Sequence, residues 1–381
     1  MYNEEENKLR FVGMIMRVKL SDVTKYLKGT QINGDDLIEN GEYIYLNGGI
    51  NPSGRWNTAN VKGNTVTISE GGNSSGYVNY VTEPFWCGAH CYYLFDGPKN
   101  TRYLYYALKS QQERLFDIRS GACMPNIKKA DLGKFEFEFD TNEQKQSKIV
   151  SVLSKIEVVI GERKRELELL DELIKARFIE LFGDPILNPY GWAVVTIGDI
   201  VTDVRYGTSK PAVEGGKYPY LRMNNLTYDG HLDLSDMKYI DIPDNEIEKC
   251  IVRKGDILFN RTNSIELVGK TCLFDWIDDM VIAGYIIRVR LNEKLLPIVL
   301  SSYMNLPSLK EQLRSMAKGA VNQANINAQE LQSIKIYLPP QELQEQFAAF
   351  VAQTDKSKVA VQKALDEAQL LFDSLMQEYF G

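Results

Sequence analysis

Two distant segments of the chain end in nearly the same amino-acid sequence. "ARFIELFG" ends at Gly183 and "LMQEYFG" ends at Gly381, so the two glycines are 381 − 183 = 198 positions apart in a chain of 381 residues. An internal repeat restricts the possible folds more strongly than any local pattern, because each copy must form the same elements in the same order. The spacing therefore predicts one architecture built twice.

The repeat extends upstream of the two glycines through ordered pairs of segments. "KKADLGKFEFEF" (128–139) matches "NAQELQSIKIYL" (327–338), and both carry the alternating apolar positions of a half-buried strand. "VKLSDVTKYLKGTQ" (18–31) matches "VTIGDIVTDVRYGTS" (195–209). The offset drifts between 177 and 199 while the order is kept. This pattern indicates a duplication in which the loops have changed length.

Each copy ends in a segment with the pattern of a long helix. In the first copy apolar residues recur every seven positions, which is the seam of a coiled coil: Leu153, Ile160, Leu167, Ile174 and Leu181. Forty helical residues would extend about 60 Å. Gly183 and Gly381 are suited to cap the helix carboxyl ends, and Pro185 blocks continuation of the first helix.

These patterns predict an α+β fold with a pseudo-twofold internal repeat. Two similar mixed α/β domains would be separated by two long helices that pack antiparallel as a coiled coil. In the alternative arrangement each helix packs on its own globular domain. The predicted boundaries are 1–142 for the first domain, 143–183 for its helix, 184–340 for the second domain and 341–381 for its helix.

Charge and composition limit the classes of function. The formal net charge is −7 and the hydrophobic content is 44%, as in a soluble globular protein. The acidity argues against a protein that coats nucleic acid, but it leaves local basic faces possible. The start "MYNEEENKLR" is unlike a signal peptide, and no apolar run could span a bilayer. We therefore expect a cytoplasmic protein without membrane association.

The cysteines predict free thiols and no metal site. They form an odd, scattered set, which argues against a disulfide framework: Cys87, Cys91, Cys123, Cys250 and Cys272. "CGAHC" (87–91) offers three zinc ligands, but a fourth would have to come from elsewhere, and the only other histidine is His231. The surrounding aromatic residues favour a buried strand over a metal site.

Three segments approach the motifs of catalytic sites without completing them. "NPYG" (188–191) lacks the second proline of the adenine methyltransferase motif, and "EGGNSSG" (70–76) lacks the lysine of a P-loop. "FDWIDDM" (274–280) clusters three carboxylates, but it lies between two predicted strands as a solvated loop would. We expect a turn, a loop and a loop, and no catalytic or cofactor-binding residues in this chain.

A pseudo-twofold molecule with two globular heads suits a ligand with two separated sites. Duplex DNA is the obvious candidate, because modules held at a fixed spacing read half-sites at a fixed spacing. The two heads differ in sequence, so the two half-sites should differ as well.

Several phrases in this order resemble the DNA-specificity subunit of type I restriction-modification systems, and the resemblance covers essentially the whole chain. They are "ARFIELFGDP", "NPYGW" followed by "TIGDI", "YPYLRMNNL", "GDILFNRTNS" with "GKTCLF", and "NQANINAQELQSIKIYLPPQELQEQFAAF". The resemblance implies recognition of a split asymmetric site in double-stranded DNA, one half per head. It also implies assembly with two modification subunits, which bind S-adenosylmethionine and methylate adenine, and with restriction subunits that translocate and cleave DNA.

The first copy departs from this pattern where its helix begins. It has "FDTNEQKQSKIV" in place of "LPPQELQEQF", and so lacks the two prolines at the strand-to-helix turn. Asp140, Thr141 or Asn142 could cap the helix instead, which would then begin near Glu143.

Polar loops that directly follow apolar strands are the candidate DNA-contact sites, because Arg, Asn, Gln, Lys, Ser and Thr read base edges and phosphates. In the second head these loops are 222–225 and 260–264, and the repeat places the matching loops of the first head at 47–55 and 70–75. Asn and Gly in such loops can also simply make turns. The first-head candidates are Asn47, Asn51, Arg55, Asn73, Ser74, Arg119, Lys128 and Lys129. The second-head candidates are Arg222, Asn224, Asn225, Asn260, Arg261, Thr262, Asn263, Ser264, Lys318, Asn322 and Gln323.

Two other classes of function compete with a DNA reader that has no catalytic activity. A self-contained DNA methyltransferase with its own recognition domain would need a cofactor loop and a Pro-Pro-aromatic motif, and we find neither in the sequence. A coiled-coil scaffold for protein partners alone would be favoured by uniformly acidic heads and disfavoured by a basic strip across both.

Overall fold

A computed structural model describes residues 15–121, 123–317 and 324–381 of the chain. The described residues form two compact units. Unit 1 comprises those up to position 164 together with 363–381, and unit 2 comprises those between 165 and 362. Among the described helices, none has a stretch long and apolar enough to cross a membrane.

Unit 1 is built on two small sheets and a two-stranded ribbon. The four-stranded sheet has the order β2-β8-β5-β6, the three-stranded sheet has the order β4-β3-β7, and the ribbon pairs β1 with β9. The strands are β1 (Ile15–Lys19), β2 (Lys25–Lys28), β3 (Tyr43–Leu46), β4 (Gly54–Trp56), β5 (Thr65–Ser69), β6 (Val78–Val81), β7 (Trp86–Cys87), β8 (Cys91–Phe95) and β9 (Glu136–Asp140). The helices are α1 (Leu20–Val23), α2 (Thr101–Lys109), α3 (Gln112–Asp117), α4 (Lys129–Gly133) and the first part of α5 (Glu143–Phe182).

The core of unit 1 lies between the four-stranded sheet and the helices that cover it. Ile68 of β5, Tyr106 of α2 and Leu153 of α5 are each fully buried there. The predicted alternation in β9 is present, because Phe137 and Phe139 point into this core while Glu138 is exposed.

Unit 2 repeats the strand connections of unit 1. Its sheets have the orders β11-β19-β15-β17 and β13-β12-β18-β14, β10 pairs with β21, and β16 pairs with β20. The strands are β10 (Ala193–Thr196), β11 (Val201–Tyr206), β12 (Tyr218–Leu221), β13 (Lys238–Ile240), β14 (Ile251–Val252), β15 (Ile257–Asn260), β16 (Thr262–Asn263), β17 (Thr271–Leu273), β18 (Met280–Ile282), β19 (Ile286–Leu291), β20 (Ala324–Asn325) and β21 (Lys335–Leu338). The helices are α6 (Asp244–Cys250), α7 (Pro297–Met304), α8 (Pro307–Met316), α9 (Ala328–Ser333) and the first part of α10 (Gln341–Phe380).

The shared topology confirms the duplication. In unit 1, β3 runs parallel to β7, and in unit 2, β12 runs parallel to β18. All the other strand pairs named here for the described residues are antiparallel, including the ribbons β1-β9 and β10-β21. Unit 2 adds to this common plan the short helix α6, the edge strand β14 and the strand pair β16-β20.

The two long helices, α5 and α10, are each 40 residues long. Asn142 caps the start of α5, because its side-chain Oδ1 accepts hydrogen bonds from the N–H groups of Gln144 at 3.0 Å and Lys145 at 3.1 Å. Gly183 ends the same helix at a φ of +82°, and its N–H donates to the carbonyl of Ile179 at 2.9 Å. The Asn cap fills the role that the missing prolines leave open.

Each unit contains the start of one long helix and the end of the other. In unit 2 the rings of Phe178 and Phe182 from α5 pack against Phe347 of α10. In unit 1, Met376 and Phe380 near the end of α10 belong to the same core as Leu153 of α5. The helices therefore pack on each other and on the heads, and the two arrangements considered from sequence coexist within a unit.

Candidate nucleic-acid interface

Several contacts hold Arg261, one of the sequence-predicted contact residues, in place. It follows β15 directly, and its backbone N–H donates to the carbonyl of Tyr285 at 2.9 Å. Its side-chain Nε donates to the carbonyl of Gly284 at 3.0 Å, and its Nη1 donates to Oδ1 of Asn325 at 3.2 Å. The guanidinium also lies over the ring of Tyr206, 5.0 Å from the centroid. Because Arg261 remains only half-buried, the fold presents a fixed cation at the surface.

The neighbouring candidates of this loop divide into internal and accessible residues. Asn260 is fully buried, and its Oδ1 accepts a hydrogen bond from the N–H of Thr262. Thr262 is also buried, and its hydroxyl donates to Asn325 at 2.8 Å. Both residues therefore shape the loop from inside, where a base could not reach them. Asn263 is half-buried and Ser264 is exposed, so these two remain available.

The loop after β12 shows the same division. Asn225 is only 2% exposed, because its Oδ1 accepts from the N–H of Arg222 and its Nδ2 donates to the carbonyl of Asp233, each at 2.8 Å. The guanidinium of Arg222 forms an ion pair with Asp236 at 2.8 Å. Asn224 is exposed. The structure therefore gives Asn225 a fastening role, and Arg222 reaches this surface with its charge already compensated.

In unit 1 the first candidate loop is anchored by two of its candidate residues. The Oδ1 of Asn47 accepts a hydrogen bond from the N–H of His90 at 3.2 Å. Arg55 donates from Nε to the carbonyl of Gly41 at 2.5 Å and from Nη2 to the carbonyl of Glu42 at 2.8 Å. Asn51, at the turn between them, is exposed.

The structure brings the two candidate loops of unit 1 together. The hydroxyl of Ser74 donates to the carbonyl of Gly48 at 2.6 Å, which ties the second loop to the first. Asn73 is exposed, and its carbonyl accepts a hydrogen bond from Arg119 at 3.4 Å. The Ser74 hydrogen bond therefore places the two loops that the repeat singled out side by side.

The remaining basic candidates have different degrees of freedom. Arg119 is held by its own segment, since its Nε donates to the carbonyl of Phe116 at 2.7 Å. Lys128 and Lys129 are both exposed, at the start of α4. Three predicted contact residues lie outside the described part of the chain, namely Lys318, Asn322 and Gln323.

Sequence reasoning missed the residues that surround these loops. Lys28 and Tyr206 end equivalent strands, and His90 and Tyr285 precede equivalent strands. A signal for the first pair was present, because the repeat aligns "KYLKGT" with "DVRYGTS" and places both residues directly before a glycine. The second pair carries no comparable signal, because "CGAHC" drew attention as a possible zinc site.

The residues of the possible zinc site make ordinary packing contacts. All five cysteines are free thiols, and Cys87 and Cys91 are buried. The Sγ of Cys87 lies 3.4 Å from the carbonyl oxygen of Cys91, and the ring of His90 faces Glu70, with Nδ1 3.2 Å from Oε2. These contacts account for the segment as part of a sheet.

One group of side chains in the described chain could hold a metal ion by geometry. Ligand atoms of Asp171, Asp229 and His231 lie within 4.8 Å of one another. They line a cavity of about 270 Å³. Nζ of Lys358 lies 2.5 Å from Oδ1 of Asp171 and already neutralises that carboxylate. Because the ammonium group of Lys358 occupies the carboxylate of Asp171, we interpret the group as an ion-pair network in which Asp171 of α5 contacts both Lys358 and His231.

Two of the three segments that approach catalytic motifs, "NPYG" and "FDWIDDM", have structural roles. Asn188 of "NPYG" adopts a φ of +43°, and its Oδ1 accepts a hydrogen bond from the N–H of Trp192 at 2.9 Å, as in a tight turn. In "FDWIDDM", Asp275 pairs with Lys254 at 2.8 Å and Asp279 pairs with Arg253 at 3.4 Å. These carboxylates are spread along the surface in separate ion pairs.

Comparison with known proteins identifies the family to which this chain belongs. The model of the family described as the type I restriction modification DNA specificity domain matches residues 15–169 and 189–368. A Mycoplasma genitalium protein described as a type I specificity subunit is 31% identical over 211 residues, 51% of this chain and 54% of the relative. The specificity subunit of the Escherichia coli type I restriction enzyme EcoKI is 27% identical over 182 residues, 47% of this chain and 39% of the relative. The chain thus spans about half, or less, of the length of these curated relatives.

Two solved structures share the fold along the whole chain. The type I restriction-modification S subunit of M. genitalium superposes with a TM-score of 0.57 at 21% identity, covering 98% of both chains. A chain from a structural study of type I restriction-modification complex assembly superposes with a TM-score of 0.51 at 17% identity, covering 96% of this chain and 97% of that one.

Proposed function

We propose, because this chain belongs to the family of type I restriction modification DNA specificity domains, that it recognises a bipartite site in double-stranded DNA. Each head would read one half of the site. The observation that carries this proposal is the duplicated strand topology, which brings polar loops to the same strand ends in both units. Because the loop residues differ between the heads, the two halves of the site would differ in sequence.

The chain would act without catalytic activity of its own. We propose that it holds two modification subunits, which bind S-adenosylmethionine and methylate adenine, and restriction subunits, within a cytoplasmic complex. Family membership supports this proposal, as does the use of two near-catalytic segments as a turn and as ion pairs. No cofactor would be bound by this chain itself.

The electrostatics suggest how DNA binding would be shared. The net charge of −7 repels DNA as a whole, so attraction must come from local cations such as Arg261, Lys128 and Lys129. Few phosphate contacts give weak binding that falls steeply with salt concentration. The modification subunits would therefore supply much of the affinity, while this chain supplies the choice of sequence.

A binding and methylation assay tests the proposal. Fluorescence anisotropy with labelled duplex DNA would be measured for the chain alone and for the chain with its modification subunits, at several salt concentrations. We expect weak, salt-sensitive binding alone, tight binding in the complex, and S-adenosylmethionine-dependent methylation only in the complex. Methylation by the chain alone, or a complex whose DNA affinity equals that of the modification subunits without the chain, would contradict it.

A further inference from the structure

Glu70 and Arg261 occupy the same place in the two heads. Glu70 directly follows β5, and Arg261 directly follows the equivalent strand β15. The N–H of Glu70 donates to the carbonyl of His90 at 2.8 Å, just as the N–H of Arg261 donates to the carbonyl of Tyr285 at 2.9 Å. The two matching hydrogen bonds show that Glu70 and Arg261 occupy equivalent positions in the two units.

The carbonyl groups of the two residues repeat the pattern. The carbonyl of Glu70 accepts from the N–H of Ile127 at 2.9 Å, and the carbonyl of Arg261 accepts from the N–H of Ile326 at 2.8 Å. The fold therefore places an acidic side chain, Glu70, in unit 1 at the position where unit 2 has the basic side chain of Arg261.

The surroundings of the two positions also correspond. Lys28 at the end of β2 donates to Glu70 at 2.7 Å, and Tyr206 at the end of β11 lies under the guanidinium of Arg261. His90 contacts the other carboxylate oxygen of Glu70 at 3.2 Å. At each position the charged side chain therefore contacts the residue that ends the equivalent strand, Lys28 in unit 1 and Tyr206 in unit 2.

We propose that these equivalent positions read bases with opposite hydrogen-bond polarity: Glu70 accepts from the amino group of a cytosine in one half-site, and Arg261 donates to a guanine in the other. This inference rests on the proposed function. A guanidinium is a donor only and matches O6 and N7 of guanine, whereas a carboxylate is an acceptor only and matches N4 of cytosine. The duplication would thus have kept the scaffold and reversed the polarity of one readout position.

Glu70 has the capacity and the charge state for this role. Two donors, Lys28 and His90, occupy its oxygens, while an ionised carboxylate offers about four acceptor sites. Partial burial alone would raise the pKa of Glu70, but the hydrogen bonds from Lys28 and His90 outweigh it and hold the pKa below its ordinary value. Glu70 therefore stays ionised, and exposed Lys128 and Lys129 beyond Ile127 offset its repulsion of phosphates.

Sequence selection with the assembled complex tests the assignment. Randomised duplexes would be incubated with the chain and its modification subunits, and the bound duplexes would be sequenced. Glu70→Gln should change one position of one half-site from cytosine towards adenine, because an amide presents a donor and an acceptor together. Arg261→Gln should change one position of the other half-site from guanine towards adenine. We expect a loss of about tenfold in preference for the original base.

Matched variants separate base readout from other roles. Glu113→Gln, at an exposed position of α3, and Arg253→Gln, before β15, change the same residue types elsewhere in the two heads, and they should leave both half-sites unaltered. Thermal unfolding of Glu70→Gln and of Glu70→Asp would verify that the fold persists. Lys28→Met should weaken binding to all sequences and reduce the preference for cytosine, because Lys28 orients Glu70, but cytosine should remain the preferred base. A switch to another preferred base in Lys28→Met, with cytosine kept in Glu70→Gln, would assign the readout to the lysine and overturn the proposal.

The outcomes distinguish this proposal from the proposed function. A bipartite motif for the wild type that neither Glu70→Gln nor Arg261→Gln changes would leave the function standing and refute the polarity assignment. Equal weakening of all sequences by both variants would refute it too, because that is the behaviour of phosphate contacts. If the wild-type complex enriched no sequence, the proposed function would itself be wrong and the inference would fall with it.

Discussion

The ring of Phe178 meets the ring of Phe347 edge to face, with centroids 5.4 Å apart and planes at 89°. Phe178 lies near the end of α5 and Phe347 near the start of α10, and both are fully buried in unit 2. This contact joins the two long helices within unit 2. It also anchors both helices to the head, because Phe178 packs on Tyr303 of α7.

Removing the aromatic ring at position 347 should destabilise unit 2. Phe347→Ala deletes a fully buried ring and leaves a cavity, so we expect a loss of about 3–5 kcal/mol in the free energy of unfolding. Urea denaturation followed by circular dichroism would measure it. Val359→Ala on the same helix is the control, because Val359 is 71% exposed and its truncation should change the free energy of unfolding little. Equal effects of the two substitutions would contradict the helix pairing described here.

Two glycines of α5 and its carboxyl end should respond to alanine with opposite signs. Gly161 is exposed within the helix, and a Cβ there meets nothing within 4 Å, so Gly161→Ala should stabilise by about 0.5–1 kcal/mol. Gly183 has a φ of +82°, and a Cβ there would lie 2.4 Å from Cγ of Pro189. Gly183→Ala should therefore destabilise by more than the roughly 1–2 kcal/mol of left-handed strain. Thermal unfolding of both variants checks the signs, and a stabilising Gly183→Ala would show that the helix does not end there.

The Asp171 network predicts a decline in stability as pH rises above neutrality. The hydrogen bond to Asp171 raises the pKa of His231 above its ordinary value. The resulting stabilisation is complete below about pH 6.5 and is lost as pH rises through the folded-state pKa. Denaturation between pH 5.5 and 8.5 should show the wild type losing stability relative to a variant without the pair, because buried Lys310, whose pKa burial lowers to about 7, contributes the opposite trend to both proteins.

Two variants isolate the source of that decline. His231→Gln and Asp171→Asn each remove the pair, so their stability relative to the wild type should improve as pH rises over this range. His90→Gln leaves the pair intact and should follow the pH dependence of the wild type. If Asp171→Asn followed the wild type as well, the network would not be the cause.

The exposed lysines at α4 should contribute affinity without selectivity. Changing Lys128 and Lys129 together to Gln should weaken DNA binding of the complex for all sequences alike. It should also reduce the slope of log affinity against log salt by about 1–2, one for each lost phosphate contact. Anisotropy titrations at several salt concentrations measure the slope. The control changes Lys155 and Lys363, both on the long helices, and should leave the slope unaltered. A changed base preference in the Lys128 and Lys129 variant would instead make these lysines base readers.

The sequence was sufficient to predict the repeat and the long helices. Heptad spacing, the Asn142 cap and Gly183 are local signals, and local signals set helix bounds directly. The sequence alone could not show which of the candidate contact residues are accessible and which are buried. Asn260 and Asn225 look like loop residues in sequence, but both are buried.

The partners that decide such burial lie far along the chain. Thr262, which holds Asn260 in place, bonds to Asn325, 63 residues away. The pairing of Glu70 with Lys28 spans 42 residues, so the charge at this position could not be compared with Arg261 until the strands were in register. The alignment of the repeat predicted where the candidate loops lie, and the tertiary structure showed which of their side chains are buried, paired or accessible.

Mapping methylated adenines across a genome tests the central claim most directly. The chain and its modification subunits would be expressed, together and separately, in a bacterium without other adenine methylation, and every modified site would be sequenced. We predict methylation only when both components are present, at one motif made of two unrelated base blocks separated by a fixed unselected spacer. Methylation by the chain alone, or a motif of one contiguous block, would contradict a paired reader of two half-sites.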